Sequence, residues 1–276
     1  MRLVLGTVGD VQAQAAVEGE GGGEIFGHHT DGVETQSFSH GSTVFAATAR
    51  GLERFGHTRG VYSERPASIP GAVRWRSTGS AAPALILPDG CMDVIVIDGA
   101  PIVAGPDAVA ARVAGNDGAR IDGLRFPPGM LPQLLGLAAD ELTGARVALA
   151  EVLPHRRMVL SADPEEIAAS LLDGVDLDPR ITGIAARLGA GRPVSAIASE
   201  AGLGERALHR LAQRSFGYGP KTLARILRFQ RAVAAIRGGG PLAAVAAAAG
   251  FADQAHLTRE VRALTGTTPR ELRATS

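Results

Sequence analysis

The feature that most limits what this chain can become is a pattern written twice into its last third. Leu208 is followed by Arg210, Gly217 and Pro220, and Leu257 by Arg259, Gly266 and Pro269, at the same three offsets and without a gap. A Gly-hydrophobic pair precedes each leucine, Gly202-Leu203 and Gly250-Phe251, with one extra residue in the second copy. The first copy, "VSAIASEAGLGERALHRL", has helix-turn-helix spacing. Small Ala198 lets two helices cross closely, Gly202 takes the positive φ of the tight turn, and Leu203, Leu208 and Leu211 seal the angle between the helices. A duplicated helix-turn-helix is therefore expected, an all-α arrangement over 179–273.

Between the copies lies "GPKTLARILRFQRAVAAIRGGGP". Pro220 opens a predicted helix with Leu223, Ile226, Leu227 and Val233 as its buried stripe and Arg225, Arg228 and Arg231 exposed on another side; glycines 238 to 240 stop it. A helix of about 17 residues spans ~25 Å. That suits two recognition helices set near the ~34 Å that separates successive major-groove faces of B-DNA. Charge agrees with this reading. Residues 180–276 carry fifteen Arg plus Lys against five Asp plus Glu, whereas the first 179 carry thirteen against twenty-three, so the zero total hides a basic C-terminal part suited to a polyanion. Lys221 is the sole lysine, and an arginine excess beside so much Ala and Gly reflects GC-rich coding.

The remainder divides into three parts. Residues 1–59 are Gly-rich and polar without a sustained period, which predicts disorder or weak local structure. His28, His29, His40 and His57 match no metal template, so no metal is expected there. Organised sequence begins near Val61, where a natural start is placed. Over 61–160, apolar runs at 84–87, 92–97 and 102–104 are separated by Pro88-Asp89-Gly90 and Asp98-Gly99, which predicts a β-meander. "GARIDGLRFPPG" adds a strand and "MLPQLLGL" a short helix, for a mostly β module. Over 161–178, Asp163 as N-cap, Pro164, Glu166, and apolar Ile167, Leu171 and Leu172 predict a connecting helix that Gly174 ends. Asp178-Pro179 then opens a helix with Ile181, Ile184, Ala185 and Leu188 on one side. The expected fold class is α+β, a mostly β N-terminal sensing module followed by an all-α tandem helix-turn-helix domain.

Cys91, the only cysteine, excludes an intrachain disulfide and a thiolate metal cage. Cys91 and Asp93, two apart on one predicted strand, share a face that could line a small-molecule effector pocket. The competing reading packs Cys91 in the core and bonds Asp93 to a neighbouring turn. No run approaches the ~20 apolar residues of a membrane span. Residues 1–10 lack the pattern of a secretory signal, so a cytoplasmic, nucleoid-associated location without membrane contact is expected.

The stretches "IASEAGLGERALHRLAQRSFGYGPKTLARILRFQRA" and "AAAAGFADQAHLTREVRALTGTTPREL" resemble the DNA-binding domain of the AraC/XylS-type transcriptional regulators over 179–273. "LPDGCMDVIVIDGAPIVAGPDA" with "GLRFPPGMLPQLLG" is similar to a poorly characterised N-terminal module found attached to that domain in bacteria. The resemblance implies a transcription regulator that reads two adjacent major-groove sites on double-stranded DNA. Its first recognition helix would present Arg206, His209 and Arg210, and its second Gln254, His256, Thr258 and Arg259, with Lys221 anchoring phosphate. Arg pairs bidentately with guanine O6 and N7, and Gln with adenine N6 and N7. His209 and His256 are equally readable as solvent-facing or phosphate-contacting residues. Gly204 stands where the family often has a serine cap, and Glu205 starts the first recognition helix with a negative charge, so that unit is expected to bind less tightly or to read a cytosine amino group.

Regulation rather than catalysis is expected, without a cofactor, and with a small-molecule effector, RNA polymerase and a second copy as further partners. Two alternatives stand beside it. One is a DNA-tethered enzyme of the alkylation-repair type, which would need a reactive cysteine or a metal cluster. The other is a non-specific nucleoid-binding protein.

Overall fold

The computed structural model describes residues 62–78, 83–114, 119–153 and 161–274. The expectations for residues 1–59 and their four histidines lie outside them. The described chain is α+β: a β-rich region comes first and a helical region follows.

Strands β1 (Ser63–Pro66), β2 (Val73–Thr78), β4 (Met92–Ile97), β5 (Ala100–Ala104), β7 (Arg120–Phe126) and β8 (Arg146–Ala148) form one antiparallel sheet in the order β1-β2-β7-β4-β5-β8. The remaining two, β3 (Ala84–Ile86) and β6 (Ala111–Val113), pair only with each other. The predicted meander therefore holds for the β4–β5 hairpin, which turns at Asp98 and Gly99, but not for β3. Pro88, Asp89 and Gly90 carry the chain from the ribbon to the sheet instead of closing a hairpin. β2 went unrecognised in the sequence, although its "VRWRST" alternates apolar residues with arginine.

The period of two decides which face of the sheet is buried. Met92, Val94 and Val96 of β4, Leu124 and Phe126 of β7 and Val103 of β5 share one face. It is covered by α1 (Met130–Leu135), a 3₁₀ turn at Ala139–Leu142, α2 (Leu149–Val152) and α3 (Pro164–Leu172). Here the sequence reading needs correction. The helix expected as a connector buries Ile167, Ala168 and Leu171 completely in this core. Its N-cap, Asp163, accepts from the Glu165 amide at 2.8 Å and from Arg74 of β2, whose guanidinium also meets buried Asp122 of β7 at 3.3 Å. The start of α3 is thus tied to the sheet by charge as well as by apolar contact. Glu166 does not close a capping box; it accepts from the Ser161 hydroxyl at 2.6 Å.

The helical region runs α4 (Pro179–Gly189), α5 (Val194–Glu200), α6 (Glu205–Phe216), α7 (Pro220–Arg237), α8 (Leu242–Ala249), α9 (Gln254–Thr265) and α10 (Pro269–Ala274). It has two cores threaded by one helix. Leu223 and Ile226 of α7 pack with Ile181, Leu188, Ile197, Leu208 and Phe216, while Phe229, Val233 and Ile236 of the same helix pack with Val245, Leu257, Val261 and Leu264. No described helix is long and apolar enough to cross a membrane.

The two regions meet along a continuous seam. Leu87, just after β3, is 4% exposed and sits in the second helical core, with Leu85 and Ala110 packed beside it. Gln230 of α7 donates to the Pro88 carbonyl, Thr143 donates to the Gly217 carbonyl at 3.0 Å, and the Ala110 amide donates to the Leu264 carbonyl at 2.7 Å. At Gly129 a Cβ would stand 2.3 Å from Ile181 Cγ2 and 2.8 Å from Phe216, and φ is +83°. Only glycine permits both that conformation and that approach.

Candidate nucleic-acid interface

Each helix-turn-helix is built from short-range rules. In the first, α5 ends at the turn 201–204, where Gly202 adopts φ +66°; in the second, α8 ends at Gly250 with φ +81°. Both are left-handed positions that favour glycine. Ala198 and Leu208 are buried where α5 crosses α6, and Ala246 and Leu257 where α8 crosses α9. The extra residue of the second turn has a structural counterpart. Asp253 caps α9, its carboxylate accepting from the His256 amide at 2.6 Å, whereas α6 starts at Gly204 with no side-chain cap. The uncapped α6 starts with exposed Glu205 beside its unsatisfied amides, a favourable place for a carboxylate.

The residues expected to read DNA divide into two groups. Arg206, Arg210, Lys221, Gln254 and Arg259 are exposed, and their side chains make no ion pair or hydrogen bond with any described residue. Arg206 and Arg210 are one turn apart on α6, so both lie on one side of the helix. Arg214 extends that stripe by another turn and is also exposed. It was missed in the sequence, though the four-residue spacing of the three arginines was visible there.

His209, His256 and Thr258 are engaged locally. His209 Nδ1 lies 3.1 Å from Gln213 Oε1, and its ring covers Gly219, where a Cβ would come within 2.6 Å of Nε2. His256 Nδ1 accepts from the Ala252 amide at 3.3 Å while its ring meets Phe251 edge-on at 5.3 Å. Thr258 donates to the Gln254 carbonyl at 2.9 Å. All three side chains brace the turns or the helix that carries them.

The arginines of α7 are not the solvent-facing set that periodicity predicted. Arg225 pairs with Glu260 of α9 at 2.6 Å, and Arg228 lies 4.8 Å over the Phe251 ring. Arg231 donates to the Gly189 carbonyl at the end of α4 and, at 3.2 Å, to the Ala249 carbonyl at the end of α8. Helix ends leave such carbonyls without intrahelical partners, and cations favour that pole. The three arginines tie the linking helix to elements of both units. Leu227, expected in the buried stripe, is only half-buried and lines a cavity against the β-rich region.

The second candidate pair, Cys91 just before β4 and Asp93 within it, does share a face of the sheet, opposite the core face. Cys91 lines the same cavity, its amide donating to Asp89 Oδ1 at 2.8 Å. Burial pushes its thiol well above the ordinary value, assisted by Asp89. Asp93 is absent from the cavity lining and stands beside it, 3.7 Å from Arg125 and 3.4 Å from Trp75 Nε1, its acid pushed up to about 7 because desolvation outweighs the Arg125 charge.

Two family models match the chain. One, described as a helix-turn-helix domain, covers residues 197–275, and the other, described as a domain of unknown function, covers 72–148. Among solved structures, a transcriptional regulator of the AraC-type DNA-binding domain-containing proteins from Chromobacterium violaceum is 27% identical over 35% of this chain and 90% of its own, with a TM-score of 0.33. A probable AraC family transcriptional regulator from Rhodopseudomonas palustris CGA009 is 25% identical over 35% and 96%, with a TM-score of 0.31. ToxT from Vibrio cholerae O395 is 10% identical over 74% and 96%, with a TM-score of 0.42. No curated protein matches the chain.

Proposed function

We propose that this chain, an AraC-type DNA-binding transcription regulator with a distinct β-rich N-terminal module, reads two adjacent major grooves with α6 and α9 and is modulated by a small molecule. The observation that carries this reading is the set of exposed, uncommitted side chains on two duplicated helices: Arg206 and Arg210 on one, Gln254 and Arg259 on the other. Lys221 at the start of α7 supplies a phosphate anchor between them, and phosphate contacts fix the register in which base edges are read. The basic part of the chain is the part that holds both helices.

The protein acts by equilibrium binding. A ligand shifts its placement on DNA only by binding two arrangements with different affinity. The alkylation-repair alternative asks for a nucleophilic thiolate, and the raised thiol of Cys91 works against one. RNA polymerase and a second copy of the chain are the partners this role calls for, in a cytoplasmic, nucleoid-associated setting.

Footprinting of the full chain on the DNA upstream of its own gene tests the reading. Two protected patches about one helical turn apart are expected, with affinity falling steeply as salt rises. Equal affinity for that DNA and for random duplex would overturn it in favour of a nucleoid binder.

A further inference from the structure

We infer that the cavity of about 400 Å³ between the β-rich module and the DNA-binding domain is the effector site, and that its ligand is a small, mainly apolar, uncharged molecule carrying a hydrogen-bond donor. This assignment rests on the regulator reading above and adds the place and the chemistry of the ligand.

The cavity wall comes from both regions. Val73, Phe126 and Pro128 form its apolar side on the module, and Ala185, Ala186 and Leu227 face them from α4 and α7. Its size is that of a small-molecule site, where a mostly apolar lining supplies contact and a few polar groups fix orientation. One such group is unsatisfied. Gln230 is 3% exposed; its Nε2 is used on the Pro88 carbonyl, and its Oε1 has no hydrogen-bond partner among the described residues. Arg125, 6% exposed, is already committed: its terminal nitrogens are used on Glu64 and Tyr62, and its Nε faces the Asp89 and Asp93 carboxylates at 3.4 and 3.7 Å. Buried polar atoms nearly always have partners, so a wall with an orphaned acceptor calls for a guest that brings a donor.

Charge narrows the class further. The Arg125 guanidinium lies among Glu64, Asp89 and Asp93, at 3.0, 3.4 and 3.7 Å. Arg231 has both terminal nitrogens on backbone carbonyls. An anion entering here meets Asp89 and a cation already surrounded by carboxylates, and it brings no donor for Gln230. The N–H of a neutral amide or of a comparable group answers that acceptor. Because Gln230 belongs to the helix that links the two units and Val73, Phe126 and Pro128 to the module, such a guest touches both sides of the seam and favours the arrangement in which the two walls face each other.

The test uses the full chain and three closely related probes: 2-phenylacetamide, methyl phenylacetate and phenylacetate. Saturation-transfer NMR titrations up to about 10 mM cover the weak range expected of fragments this small. The amide is expected to bind about 10-fold tighter than either of the others, a margin of about 1.4 kcal/mol. Ala186→Phe, which adds a ring at an exposed rim position, is expected to abolish binding of all three without unfolding the protein. Gln230→Leu is expected to remove the amide's advantage over the ester. Phenylacetate binding as tightly as the amide would overturn the ligand class, and binding of no probe, or binding indifferent to Ala186→Phe, would overturn the site. DNA affinity is measured with and without the amide. An amide that fills the cavity and leaves that affinity unchanged overturns the effector role, whereas loss of specific DNA binding without any probe refutes the regulator reading alone.

Discussion

Arg210 and Arg259 hold equivalent positions two residues after the first buried leucine of each recognition helix, and neither forms an ion pair or side-chain hydrogen bond with any described residue. If each pairs with a base edge, Arg210→Ala and Arg259→Ala will each weaken specific binding by ~1–3 kcal/mol and relax sequence choice at separate positions. Equal loss on specific and random DNA, measured by competition, would make that arginine a phosphate anchor. Asp93 offers a different residue-scale test. Its folded acid lies near 7, above the ordinary 3.8, with Arg125, Asp89, Trp75 and Arg146 acting on it. Between those values the folded chain holds a proton that the unfolded chain releases, so this group's contribution is complete below the unfolded value and is lost as pH rises through about 7. Denaturant midpoints between about pH 5 and pH 8 should therefore fall in the parent and flatten in Asp93→Asn; parallel slopes would reject the shifted acid.

Among the elements, the two recognition helices begin differently. Asp253→Ala removes the cap of α9 and should cost ~1 kcal/mol of stability, with weaker DNA binding because Gln254 occupies the turn that frays. Thermal unfolding and a binding titration check this, and an unchanged melting curve would show that tertiary packing alone fixes the helix start. The helix-turn-helix units were legible in the sequence because their rules are local: small Ala198, glycine at the turn, leucines at helical spacing. The ends of α3 and α4 were legible for the same reason, since Asp163-Pro164 and Asp178-Pro179 are start signals. What failed was partner choice. Periodicity puts Arg225, Arg228 and Arg231 on a face of α7, but it does not reveal that Glu260, the Phe251 ring and two helix-end carbonyls come to meet that face. Nor does it show that the α3 stripe fits a sheet rather than a linker. β3 was legible as a strand, yet its pairing with β6 spans a long stretch of chain that no local spacing encodes.

At the scale of the whole molecule, the seam makes the DNA-binding part depend on its neighbour. Leu87→Ala would open a cavity inside the second helical core from the other side of the seam, and a loss of about 2–5 kcal/mol is expected. A fragment of residues 176–276 should still fold and bind DNA with strong salt dependence. It should melt below the same region in the full chain, because Leu85, Leu87 and Ala110 no longer cover that core. Matching melting temperatures would show that the seam contributes nothing to stability.

The short loop 105–110 reaches the far ends of both recognition helices. Pro106 lies against Gly217 at the end of α6, Ala108 packs on the first helical core, and Ala110 bonds to Leu264 near the end of α9. Six residues of the β-rich module thus belong physically to the helical domain. A chimera that grafts this DNA-binding part onto a foreign sensor inherits the contact surface without the piece that fills it. The natural cut for such a graft is therefore not the linker before Pro179 alone; the ribbon and its loop, residues 84–113, must travel with the helices they touch.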